Sequence, residues 1–170
     1  MKNWFLALAL LVATGAMAQP KVIAHRGYWT AEGSAQNSLT SWSEADRVGC
    51  YGSEFDVWLT GDDRLVVNHD RVQKGTDIDM TTASARTIRK IILPNGEPIP
   101  TLEDLIEVTV VPGSCTQVQL DVKKVTDMPD ISVKAGKLAC DIIKEYNAEA
   151  WFELCVTGHK TVMRDLHQYV

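Results

Sequence analysis

The sequence predicts an α/β protein with parallel strands, arranged as part of a barrel, and three observations carry that reading. Short β-branched runs alternate with longer segments of helical periodicity, which is the pattern of successive βαβ units. Five such β/α units follow one another, with no internal repeat or low-complexity tract among them. The early strands end in polar residues, and the C-terminal ends of parallel strands are where this class gathers its chemistry. A complete (β/α)8 barrel takes about 250 residues, whereas the chain has 170. Part of a longer barrel, a truncated reading frame and a smaller open sheet all remain open.

The elements follow in order. Residues 22–24 form a short apolar strand that ends at His25, Arg26 and Gly27. Residues 38–48 read as a helix capped by Ser38, with Leu39, Trp42, Ala45 and Val48 lining one face. A second strand over 52–59 and a third over 65–68 are separated by the turn Gly61, Asp62, Asp63. Helical character over 82–92 gives way to a loop at 94–100. Thr101 then caps a helix to 108, with Glu103 and Asp104 in its first turn, where carboxylates favour the helix dipole. A fourth strand over 118–122, an amphipathic helix over 132–146, a fifth strand over 151–156 and a final helix from about His159 complete the pattern.

Composition narrows the function. With 45% hydrophobic and 23% charged residues the chain reads as an ordinary globular domain. A net charge of -5 and a pI near 5.3 exclude a general nucleic-acid binder, because phosphate backbones are held by clustered Lys and Arg. Lys2, an apolar run over 4–13 and the small-x-small triplet Ala16, Met17, Ala18 predict a secretory signal peptide over 1–18. The apolar run is shorter than the roughly 20 residues that cross a bilayer, so no stable membrane span is expected after cleavage. The remaining domain, 19–170, is expected to be exported, either periplasmic or secreted. Cys50, Cys115, Cys140 and Cys155 include no CxxC pair and are expected to pack as small buried hydrophobes.

The chemistry concentrates at strand ends. Glu54 and Asp56 lie two apart on the second strand, so both carboxylates project to one side. Phe55, Val57 and Leu59 then face outward beneath the covering helices. Paired carboxylates repel unless a cation lies between them, and a hard ion such as Ca²⁺ or Mg²⁺ suits oxygen ligands. A bare Glu-x-Asp is more often a solvated polar face. Here, however, His25 and Arg26 end the first strand and His69 and Asp70 end the third. Histidine suits proton transfer near neutrality, and arginine fits phosphate oxygens with a fork of donors. Asp121 and Lys123 repeat the two-residue spacing at the end of the fourth strand, although Lys123 and Lys124 would also serve as a solvated loop start. His159 and His167 read as surface residues.

Taken together, His25-Arg26-Gly27, Gln36-Asn37-Ser38, Glu54-Phe55-Asp56-Val57, His69-Asp70 and the stretch over 100–103 resemble the glycerophosphodiester phosphodiesterases, in the expected order across 22–123. That resemblance implies a TIM (β/α)8-type barrel, here with about its first five β/α units, and hydrolysis of a small-molecule glycerophosphodiester to glycerol 3-phosphate and an alcohol. It implies His25 and His69 as the acid and base pair, and Glu54, Asp56 and Asp121 as ligands of a divalent metal, Ca²⁺ or Mg²⁺. Arg26 and Lys123 would contact the phosphate, with Gln36 and Asn37 orienting the site. The family usually has Glu at the positions of Gln36 and Asp121, and its last strands have no counterpart after Val170. A noncatalytic phosphodiester- or metal-binding module and an inactive truncated barrel are the alternatives, and the sequence does not fix the oligomeric state.

Overall fold

The computed structural model describes residues 20–156, 160–167 and 169, so the predicted signal peptide and His159 lie outside the described residues. Four parallel strands, β1 (Ile23–His25), β2 (Gly52–Leu59), β4 (Gln117–Val122) and β5 (Phe152–Cys155), form a sheet in the order β1-β2-β4-β5. The helices between them are α1 (Leu39–Arg47), α2 (Ala85–Ile88), α3 (Leu102–Thr109) and α4 (Pro129–Glu145), and α5 (Lys160–His167) follows β5. No helix among the described residues is long and apolar enough to cross a membrane.

Alternation along β2 and β4 builds the core as predicted. Phe55, Val57, Leu59, Val118, Leu120 and Val122 are buried on the face that meets Trp42 of α1, Leu105 of α3 and Ala139 of α4. Each fully buried side chain of this size contributes about 1.5–3 kcal/mol. Caps fix where the covering helices begin. The Ser38 hydroxyl accepts from the Ser41 N–H, and Thr101 forms a reciprocal capping box with Asp104. Burial raises the Asp104 carboxyl, yet the Thr101 N–H and the Arg89 guanidinium outweigh it and hold the group below its ordinary value.

Two sequence expectations are corrected. The third strand, β3 (Leu65–Val67), is antiparallel to β2, with Val57 opposite Val67 and Leu59 opposite Leu65. β2 overruns the end of β1 and the chain turns back at 60–64, so this strand extends a hairpin rather than adding a parallel barrel strand. The helix expected over 82–92 shrinks to Ala85–Ile88. The excursion around it instead buries Met80, Ile88, Leu93 and Ile99 against Trp58 and Val66. This second core lies on the face of the hairpin opposite the main one, because Trp58 and Val66 alternate with Val57 and Val67.

Candidate active site

Register brings the predicted residues together. His25 pairs with Glu54, and Asp56 with Asp121, across β1, β2 and β4. All four share the sheet face opposite the main core. They line an open cleft of about 530 Å³ with His69, Gln119, Lys123, Lys124 and Cys155. His69 arrives by an unexpected route. Because β3 runs back along β2, the Asn68 N–H donates to the Asp56 carbonyl at 3.0 Å, returning His69 to the level of the carboxylates.

The ligand oxygens of Glu54, Asp56 and Asp121 all lie within 4.8 Å of one another, and Asp56 and Asp121 are buried. Burial and the neighbouring Asp56 charge push the Glu54 carboxyl up to about 7, despite the Arg26 N–H that donates to its Oε2 at 3.0 Å. Lys123 Nζ sits 2.8 Å from Asp56 Oδ1 and 3.4 Å from Asp121 Oδ2. Burial alone would lower the ammonium, but the Asp56 bond and the charges of Asp56 and Asp121 outweigh it and hold Lys123 above its ordinary value. Three crowded carboxylates, one already forced toward protonation, form a donor set that fits a divalent cation.

The loop after β1 supports this centre from beside the cleft. Asn37 Nδ2 donates to Asp56 Oδ2 at 2.9 Å, and the Asp56 N–H donates to Asn37 Oδ1 at 3.1 Å. The Arg26 guanidinium donates to Gln36 Oε1 at 2.8 Å and approaches Asp56 at 3.7 Å. Arg26 and Asn37 both hold φ near 59°, a left-handed conformation that Asn tolerates better than Arg. Gly27 follows at φ 79°, and a Cβ there would meet Ser41 Oγ at 2.0 Å. The glycine therefore lets the loop lie directly on α1.

His25 is largely exposed, its Nε2 3.8 Å from Glu54 Oε2. His69 Nδ1 lies 2.7 Å from Asp70 Oδ1, and the Trp58 indole N–H donates to the His69 carbonyl at 3.3 Å. In the tautomer whose Nδ1–H donates to Asp70, Nε2 carries the lone pair of the ring. His167 is exposed on α5, as expected.

Sequence reasoning passed over several residues. Ser132 is fully buried and bridges the Lys123 carbonyl and the Val125 N–H, tying the end of β4 to α4. Cys155 was expected to pack as a buried thiol, but it is half-buried in the cleft, and of the four cysteines only Cys140 is buried. Burial, then the charges of Asp121, Glu54 and Asp56, push the Cys155 thiol up to about 12. The signal for Cys155 was its place one residue before the end of the last predicted strand, on the inward alternation.

The fold and site define an α/β barrel-type protein with a polyanionic centre at its strand ends. Residues 25–154 match the model of the glycerophosphoryl diester phosphodiesterase family, and the chain belongs to that family. It is 31% identical over 144 residues to a glycerophosphodiester phosphodiesterase of Caldanaerobacter subterraneus subsp. tengcongensis, covering 75% of this chain and 54% of that protein. It is 36% identical over 104 residues to Probable glycerophosphodiester phosphodiesterase 2 of Mycobacterium tuberculosis, covering 59% and 38% respectively. The crystal structure of a glycerophosphodiester phosphodiesterase from Parabacteroides distasonis superposes with a TM-score of 0.80 at 33% identity, over 88% of this chain and 60% of that one. The chain thus spans between about two fifths and three fifths of the length of these relatives. The part of the family's TIM-barrel fold present here comprises the four parallel strands β1, β2, β4 and β5.

Proposed function

We propose that this protein hydrolyses glycerophosphodiesters to glycerol 3-phosphate and an alcohol with the help of a divalent cation. The observation that carries the reading is the convergence of Glu54, Asp56 and Asp121 within one cleft that His25 and His69 also line. The three carboxylates would hold Ca²⁺ or Mg²⁺, which when bound polarises the phosphoryl group and offsets its growing charge. Lys123, already seated between Asp56 and Asp121, contributes a fixed positive charge toward the non-bridging oxygens, with Arg26 behind it. One imidazole takes a proton from the attacking oxygen and the other delivers one to the departing alcohol oxygen. Asp70 orients the His69 ring for this task, and Asn37 holds Asp56 in place while Gln36 steadies Arg26.

The reading includes export: residues 1–18 act as a signal peptide, and 19–170 work in the periplasm or outside the cell. The test is release of glycerol 3-phosphate from glycerophosphocholine by the purified protein, with Ca²⁺ or Mg²⁺ against chelator, beside His25→Ala. Cation-dependent turnover that disappears in the variant supports the proposal. A folded protein that binds cation and diester yet turns nothing over would overturn it in favour of a binding module.

A further inference from the structure

The row of inward-facing side chains that holds Asp56 and Asp121 continues onto β5. Asp56 pairs with Asp121, and Asp121 pairs with Cys155, so two carboxylates and a thiol stand at one level on one face of three adjacent strands. The Cys155 thiol points at Asp121, with Sγ 3.9 Å from Oδ1. It lines the same cleft as the other cation-facing groups, and it is free of any disulfide. A tetrahedral ion with a metal–sulfur distance of about 2.3 Å and a metal–oxygen distance of about 2.1 Å holds those two atoms about 3.6 Å apart. The spacing present in the fold is within about 0.3 Å of that requirement.

An all-oxygen shell favours hard cations, whereas carboxylate and thiolate together favour borderline and soft ones. We propose that Cys155 is a further ligand of this site and makes it thiophilic, so that Zn²⁺ or Cd²⁺ binds between Asp121 and Cys155 in competition with the hard ion. The inference rests on the reading of Glu54, Asp56 and Asp121 as a divalent-cation site. On binding, the sulfur–metal bond replaces the sulfur–hydrogen bond and the proton leaves to solvent. The site then discriminates among cations by which strand dominates: β2 supplies only oxygen, and β5 supplies sulfur.

The experiment is a pair of titrations on the purified protein, neither of which reads turnover. Cd²⁺ is followed by the ultraviolet thiolate-to-cadmium charge-transfer band, and Mn²⁺ by loss of the free-ion magnetic resonance signal, in wild type, Cys155→Ser and Cys115→Ser. The expected result is a cadmium band in wild type and Cys115→Ser that is lost in Cys155→Ser, while all three bind Mn²⁺ alike and Cd²⁺ displaces it. A band that survives in Cys155→Ser, or no band where Mn²⁺ binds, overturns the role of Cys155 and leaves the carboxylate site standing. Absence of binding by either ion from a folded sample overturns the cation site itself, and this inference with it.

Discussion

The two faces of β2 impose opposite demands on one strand. On one, Phe55 and Val57 are fully buried against α1, α3 and α4. On the other, Glu54 and Asp56 crowd Asp121, and burial together with the Asp56 charge drives Glu54 toward its protonated form. The apolar face supplies folding free energy and the acidic face consumes some of it. Because the two sets alternate at single-residue spacing, the strand cannot slip by one residue without exchanging them. The register that stabilises the sheet is therefore the register that assembles the site.

Substitutions on the two faces separate the roles. The largest expected effect is on turnover: His69→Ala lowers kcat about 10²–10⁴-fold, with a melting temperature close to wild type because the side chain is 39% exposed. A variant that turns over normally would remove His69 from proton transfer. On the opposite face, Phe55→Ala costs about 3–5 kcal/mol in denaturant unfolding, while the fraction that remains folded keeps its cation affinity. Asn37 joins the two roles. Asn37→Gly retains the left-handed backbone but leaves the buried Asp56 without its two amide bonds, and costs about 1–3 kcal/mol. Stability unchanged from wild type would show that Asp56 is satisfied without the Asn37 side chain.

The smallest effect is a pH dependence of the acidic face. Without cation, the folded Glu54 carboxyl titrates near 7, whereas in the unfolded chain it titrates near the ordinary value of about 4.3. Between those limits the folded state binds more protons, so the metal-free protein loses stability as pH rises from about 4.5 to 7. Glu54→Gln flattens that slope in a series of melts. Divalent cation added near pH 7 raises the wild-type melting temperature, and less so at pH 5, where Glu54 holds its proton. A slope that survives in Glu54→Gln would assign it to another group.

Much of this was legible because it depends on periodicity. Glu54 and Asp56 reveal a shared face from their spacing alone, and Ser38 and Thr101 announce helix starts by side-chain chemistry that acts within one turn. The antiparallel β3 was hidden because the direction of a strand is set by where β2 stops relative to its neighbours, which no local pattern encodes. Residues 82–92 were overread as helix because Ile88, Ile91 and Ile92 mimic a helical stripe, while tertiary burial against Trp58 decided the backbone. Cys155 was missed because its neighbour Asp121 is 34 residues away, and only pairing of β4 with β5 brings them level.

The antiparallel return of β3 also governs how the chain can vary in length. The excursion leaves β3 at Asn68 and comes back at Pro100, whose carbonyl accepts the Val67 N–H at 2.8 Å, while Thr101 bridges Val66. Entry and exit are thus clamped to neighbouring residues, as the two ends of a cassette are. Each doubling of such a closed loop adds only about 0.6 kcal/mol of closure entropy. Residues inserted at the exposed Gly75, where an added Cβ would meet no atom within 4 Å, should leave the sheet and its melting temperature nearly unchanged. His69 marks the doorway of this cassette, so the cleft that it lines keeps its shape however much chain lies beyond it.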